Sequence, residues 1–316
     1  MAQSLSDIKY SQSKKKRITF ALSCGLLPKL WLGAGKKEKD GVLMTAALIA
    51  DVHTDGNTYR DRNNEIRKGI VGINCYQKTD AVIMAGDITN SAHVTEYTNL
   101  KHYLKKYNRI KCFIPQMGNH DSRGTSHYPD FGEACTLFKD FCSFCGMKGI
   151  EGKNYYSTEV KGYPVIVLGT EALVHNQALI SKEQLAWLND QLTNAKAAGK
   201  PIFVICHQPP CGRNGAGTVY GEEAHVGENT ELLDKILLSQ ADPESPIIYV
   251  SGHMHKLGQY TYECPVPGLI FLNLPSFLYD GGYGFLAEAY KDKLVLTGTD
   301  FIKGTVLEGY AYEIPL

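Results

Sequence analysis

The sequence predicts a layered α/β fold with a second sheet packed on the first. Three observations carry this. Five short apolar runs each end abruptly in a polar, metal-capable residue. Helical periodicities lie between those runs, and strands alternating with helices give a layered α/β domain. The second half adds strand-like runs with no helix between them.

The apolar runs are 42–50, 81–85, 111–117, 201–206 and 246–250. They lead into Asp51, Gly86-Asp87, Gly118-Asn119-His120-Asp121, His207 and Ser251-Gly252-His253-Met254-His255. A short continuous apolar run bounded by turn residues reads as a buried strand. Ligands in α/β sheets bind beyond the carboxyl ends of strands, so the five ends are expected to face one site.

Helical patterns cover 63–77, 93–107, 131–145, 181–198 and 230–238. The fourth is the clearest. Ser181 is placed to cap it, and Leu185, Leu188 and Leu192 fall on one face. Runs 155–160 and 165–170 read as a hairpin around Lys161-Gly162. Runs 269–274, 284–290, 293–299 and 310–314 follow the histidine pair and are assigned to the second sheet.

The 316 residues are 43% hydrophobic, ample for a buried core. Lysine plus arginine and aspartate plus glutamate number 33 each, so the formal net charge is zero. That removes any global attraction to nucleic acid or anionic membrane. Nine cysteines, odd in number and irregular in spacing, indicate free thiols in a reducing compartment. Cys142 and Cys145 form a CxxC pair, open to a redox or a plain helix-face reading. Lys14 to Arg17 precede an apolar stretch that Pro28 and Lys29 interrupt. Residues 1–40 are therefore expected to form an N-terminal extension, and 41–316 one large domain. The expected location is cytoplasmic, with export through an atypical signal as the alternative, and no stable membrane association is expected.

The strand ends supply Asp51, His53, Asp87, Asn119, His207, His253 and His255. Imidazole suits zinc and iron, while carboxylate and amide oxygens suit harder ions such as manganese. Seven ligands exceed one four-coordinate zinc and suit two metals with a bridging carboxylate. In Asp51-Val52-His53 and His253-Met254-His255, side chains two apart on an extended segment point the same way. His120 follows Asn119 and is placed to donate a proton to a leaving alkoxide or to stabilise phosphoryl charge. Asp121 is expected to orient His120 from behind.

The ordered blocks Asp51-Val52-His53, Gly86-Asp87, Gly118-Asn119-His120-Asp121, His207 and Gly252-His253-Met254-His255 resemble the calcineurin-like metallophosphoesterase superfamily. The resemblance implies a four-layer α-β-β-α sandwich of two mixed sheets flanked by helices. It implies one metal on Asp51, His53, Asp87 and His255, and another on Asp87, Asn119, His207 and His253. It also implies two divalent or trivalent ions (Mn, Fe or Zn), hydrolysis of a small-molecule phosphate ester by an in-line bridging hydroxide, and His120 as the non-ligand participant. Gly86-Asp87-Ile88-Thr89-Asn90, Gln184-Leu185-Ala186-Trp187-Leu188 and His207-Gln208-Pro209-Pro210 are similar to the subgroup holding class III cyclic-nucleotide phosphodiesterases and purple-acid-type enzymes. The metal-binding tyrosine of true purple acid phosphatases has no clear counterpart; Tyr97 lies too far on.

Asn90, Arg123 and Arg213 are the substrate-binding candidates; for the arginines a solvated loop position is the competing reading. His127 poses the same choice. An inactive metal-binding scaffold and a nuclease are the alternatives of other classes. The first expects a damaged ligand set and the second a basic groove.

Overall fold

A computed structural model describes residues 41–316 apart from 57–59, 76–78, 124–129, 151, 174 and 222. The N-terminal extension and His127 lie outside the described residues.

The strands are β1 (Met44–Ile49), β2 (Ala81–Met84), β3 (Cys112–Pro115), β4 (Tyr156–Val160), β5 (Tyr163–Val167), β6 (Ile202–Ile205), β7 (Ile247–Ser251), β8 (Tyr262–Val266), β9 (Leu269–Asn273), β10 (Tyr283–Ala289), β11 (Lys293–Asp300) and β12 (Thr305–Pro315). The helices are α1 (Arg60–Cys75), α2 (Val94–Tyr107), α3 (Asn119–Ser122), α4 (Phe131–Phe144), α5 (Lys182–Ala195) and α6 (Thr230–Ser239). They form two six-stranded mixed sheets, ordered β12-β11-β10-β1-β2-β3 and β4-β5-β6-β7-β9-β8.

This corrects the expected division of strands. The last three strands do not join the second sheet; β10 pairs antiparallel with β1 and carries β11 and β12 onto the first. The second sheet is instead built around β5, β6, β7 and β9, which run parallel. The apolar strands are thus shared, three in one sheet and two in the other. Chain composition could not assign them, because a buried strand is apolar on both faces whichever sheet holds it.

Side-chain alternation builds the layers. In β6, Phe203 and Ile205 join the inner core between the sheets, while Ile202 and Val204 face the cluster that holds Leu185, Leu188 and Leu192 of α5 and Leu233 and Leu237 of α6. β7 repeats this, with Ile248 and Val250 inward and Ile247 and Tyr249 outward. Ile66 and Ile70 of α1 and Leu100 and Leu104 of α2 cover the other sheet beside Ile49, Val82 and Met84. Each such fully buried aliphatic contributes about 1.5–3 kcal/mol. The result is a four-layer α-β-β-α sandwich.

Helix starts follow local chemistry. Ser181 Oγ accepts from Gln184 N at 3.1 Å, and Asp130 caps α4 by accepting from Glu133 N at 2.8 Å. Cys142 lies on the buried face of α4 and Cys145 at its end; both are free thiols that burial pushes up. That favours the helix-face reading of the CxxC pair. No described helix is long and apolar enough to cross a membrane.

Candidate metal centre

Five strand ends meet at the carboxyl edge of the two sheets. Asp51 and His53 leave β1, Asp87 leaves β2, Asn119 and His120 open α3 just after β3, His207 leaves β6, and His253 and His255 leave β7. Backbone hydrogen bonds continue past the strands and lock these ends together. Asp51 N donates to the Gly86 carbonyl at 3.1 Å, His53 N to the Asp87 carbonyl at 2.9 Å, and Gly252 N to the His207 carbonyl at 2.9 Å. Two carboxylates also serve as backbone acceptors: His253 N donates to Asp51 Oδ2 at 3.1 Å and His120 N to Asp87 Oδ1 at 2.8 Å.

The expected extended geometry of the Asp-x-His and His-x-His pairs is not what forms. Asp51, His53, Asp87, His253 and His255 all adopt left-handed backbone, with φ of 54°, 43°, 48°, 72° and 58°. Each such non-glycine residue costs on the order of 1–3 kcal/mol, and such strain persists where surrounding structure enforces it. The side chains of each pair reach one centre through this curl, not through a flat strand.

Two glycines explain themselves sterically. A Cβ on Gly118 would sit 2.2 Å from Asp87 Oδ1, and one on Gly252 2.6 Å from Asp51 Oδ2. Only glycine lets these loops press against the carboxylates.

Asp51, His53, Asp87 and His255 form one group able to hold a cation, and Asp87, His207 and His253 form another. Ligand atoms lie within 4.8 Å of one another in each group, and Asp87 belongs to both. His255 Nε2 is 2.8 Å from Asp51 Oδ1, and His207 Nε2 is 3.0 Å from Asp87 Oδ2. His53 Nε2 stands 3.8 Å from each carboxylate and 3.4 Å from His255 Nε2. Asp51 Oδ1 and His207 Nε2 are buried without a satisfying hydrogen bond. Such orphaned atoms cost about 1–3 kcal/mol each. Cations among these donors would satisfy them, so the residues fit metal binding.

The histidines divide electrostatically, and a cation at His207 would have to displace a proton. Burial acts first on His207, yet the carboxylates of Asp87 and Asp51 outweigh it and raise the imidazole to about 9. Burial lowers His53 to about 4 and His253 to about 3, leaving both neutral as metal ligands require. Burial would raise the Asp87 carboxyl, but His207 and His120 hold it well below the usual range. His207 Nδ1 donates to the Ala85 carbonyl at 2.8 Å, which turns Nε2 toward the carboxylates.

Asn119 is buried beside this cluster. Its Nδ2 donates to the His175 carbonyl at 3.0 Å, and its Oδ1 lies 3.4 Å from Gln208 Nε2. The amide orientation is thereby fixed with oxygen as the remaining ligand atom. His120 sets its ring edge-on to His53 at 4.5 Å, with Nε2 3.9 Å from Asp87 Oδ2. Its Nδ1 is 2.7 Å from the Asn90 carbonyl. A carbonyl only accepts, so Nδ1 carries the proton and Nε2 faces the site.

Other expectations are corrected. Asp121 does not orient His120. Its carboxylate accepts from the backbone N–H of Ile88, Thr89 and Gly118 and from Thr89 Oγ1, at 2.7–3.0 Å. It ties the Gly-Asp turn to the Gly-Asn-His-Asp turn. Asn90 takes over the orienting role through its backbone, while its Nδ2 donates to Ser91 Oγ at 3.2 Å. Arg213 donates from Nε and Nη2 to both oxygens of Asp234 at 2.8 Å and lies over Phe271, so its fork is already filled. Arg123 caps the end of α3, half-buried, with Nε lacking a hydrogen bond.

Two residues escaped the sequence reading. Tyr279 stacks on His255 at 5.4 Å and 29° and lies 5.5 Å from His53. Glu96 accepts from Ser91 N and His93 N at 2.9 and 3.1 Å, holding the turn that follows Asn90. Neither stands at a spacing that ties it to a metal motif; Glu96 three residues after a helix cap was the one available signal.

The calcineurin-like phosphoesterase family model matches residues 44–257. A "probable glycerophosphodiester phosphodiesterase" of Arcobacter nitrofigilis is 26% identical over 58% of this chain and 59% of its own length. A "probable cyclic nucleotide phosphodiesterase" of Rhodococcus erythropolis is 29% identical over 61% of this chain and 56% of its own. The chain thus spans less than two thirds of either relative. A dimetal phosphatase from Danio rerio shares the fold, with a TM-score of 0.61 and 15% identity over 87% of this chain and 99% of its own. The family match covers all five strand ends and every residue of the centre except those contributed after β9, so the chain belongs to the calcineurin-like phosphoesterase family.

Proposed function

We propose that this chain hydrolyses small-molecule phosphate esters, diesters foremost, at a centre of two metal ions. One observation carries the reading: two ligand groups drawn from four strand ends share Asp87. Asp51, His53, Asp87 and His255 would hold one ion; Asp87, Asn119, His207 and His253 the other. The donor set offers nitrogen and oxygen without thiolate, which suits manganese, iron or zinc. Bound there, the ions would activate water and offset phosphoryl charge.

The chain's own part in the reaction follows from the geometry. The Asn90 carbonyl fixes Nδ1–H of His120, so Nε2 is the atom that meets substrate. In its protonated form His120 gives the Nε2 proton to the leaving alkoxide as the P–O bond breaks. His120 also offers positive charge to the phosphoryl oxygens. The named phosphodiesterase relatives support the diester preference. The free thiols support a reducing, cytoplasmic location.

The test uses protein stripped by chelator and reloaded with manganese, assayed on bis(p-nitrophenyl) phosphate and p-nitrophenyl phosphate. Turnover should vanish on stripping and return on reloading. His120→Asn should keep its metals and lose about 10²–10⁴-fold in kcat. Full activity in the stripped protein, or in loaded His120→Asn, would reject the mechanism.

A further inference from the structure

The rim of the centre is uneven, and its open side carries one aromatic ring. Among the described residues, Tyr279 is the only aromatic side chain with half its surface exposed, at 53%. It is not a loose surface tyrosine. Tyr279 N donates to Ser276 Oγ at 3.1 Å, and Ser276 Oγ donates to the backbone carbonyl of Asp51 at 3.2 Å. Leu278 N donates to that same carbonyl at 3.3 Å, and Phe277 N to the Ala50 carbonyl at 2.9 Å. Ser276 N is held by Asp280 Oδ2 at 3.1 Å. The turn bearing Tyr279 is therefore built directly on the backbone of a proposed metal ligand.

This anchoring places the phenol ring against His255 and within 5.5 Å of His53, which itself contacts His120. The guanidinium of Arg62 lies 5.5 Å from the ring centroid. The ring thus keeps about half its surface in water at the edge of the centre, at 53% exposure. The ring therefore stands beside His255 and His53, in reach of a substituent of an ester held at these residues.

We propose that Tyr279 is the specificity-determining residue of this site, receiving a planar aromatic substituent of the phosphodiester, of the aryl or nucleoside class, in preference to a glycerol-type one. The proposal rests on the phosphoesterase reading above. Stacking on an aromatic side chain discriminates ring from chain, since every base or aryl group offers a π-face and glycerol offers none.

The experiment measures kcat/KM for methyl phenyl phosphate and for glycerophosphoethanolamine with the manganese-loaded wild type, Tyr279→Ala and Tyr279→Phe. Metal content is determined on each preparation. Each substrate serves as its own reference, so differences in leaving-group reactivity cancel. Tyr279→Ala should lose roughly 10-fold to 100-fold on the aryl ester. Its loss on the aliphatic ester should be several times smaller, and Tyr279→Phe should keep the wild-type preference. Equal losses on both esters, with or without a fall in metal content, would overturn the proposal and make Tyr279 a support for His255. Unchanged kcat/KM for the aryl ester would overturn it as well. No turnover of either ester by metal-loaded wild type would instead reject the phosphoesterase reading on which it stands.

Discussion

The two flanks of the centre solve opposite problems. On one flank His207 is fully buried, and Asn119 and Gln208 beside it are 2% and 1% exposed. On the other, the His255 side chain is 33% exposed and Tyr279 lies open above it. The sealed flank holds its shape through buried hydrogen bonds: His207 to Ala85, Asn119 to His175, and Gln208 to the Asn176 carbonyl. The open flank holds its shape through ring contacts and a turn hung on Asp51. Buried polar hydrogen bonds thus shape one flank and exposed ring contacts the other.

Four measurements would break or sharpen this contrast. The largest effect should come from Asp87→Ala, which removes the ligand common to both flanks. Turnover should fall by about 10³-fold or more, and metal content should drop on both sides. Retention of two ions by that variant would remove the shared-ligand arrangement. Next, His207→Ala and His255→Ala should differ. Loss of His207 leaves Asp51 and Asp87 facing each other in a dry pocket, at a cost of about 1–3 kcal/mol in stability. Loss of His255 opens a place that water can fill, so its cost should be smaller. Equal melting temperatures for the two metal-free variants would erase the distinction between flanks.

A third effect depends on pH. Burial raises the Glu96 carboxyl to about 7, against the backbone N–H groups of His93 and Ser91 that pull it down. The folded value lies above the unfolded one, so the neutral acid favours the fold. Its contribution is complete below the unfolded value near 4.5 and is lost as pH rises through about 7. Glu96→Gln stays neutral throughout. The melting temperature of the variant minus that of the wild type should therefore climb between these two values. A flat difference would show that Glu96 is not held protonated under the Asn90 turn. The smallest effect is expected from Arg213→Ala, where a partly exposed pair with Asp234 is worth about 1 kcal/mol at most. Its kcat/KM should match wild type; a large loss would return Arg213 to the substrate site.

Much of this is legible in the sequence. The strand-end residues could be read because a buried apolar run makes a terminal polar residue conspicuous. Ser181 could be read because capping is local chemistry. The division of strands between sheets was not, since β10 reaches β1 across most of the chain and nothing local records that pairing. Asp121 was misread for a related reason. Adjacency to His120 suggested contact, but the turn of α3 aims the carboxylate back at Thr89. Arg213 looked available until Asp234, on α6, was seen to occupy it. Tyr279 was invisible because its role depends on a turn anchored more than two hundred residues upstream, through the Ser276–Asp51 separation of 225.

That separation has a temporal side. Asp51 and His253, joined by a hydrogen bond, stand 202 residues apart in sequence. At a synthesis rate of about 5–20 residues per second, the first acid waits roughly 10–40 s for its histidine partners. During that interval the nascent chain carries Asp51, His53 and Asp87 without the groups that complete either metal position. On the proposed ligand sets neither metal position is complete before β7 has emerged, so a truncated chain ending before β7 should retain fewer than two ions by metal analysis.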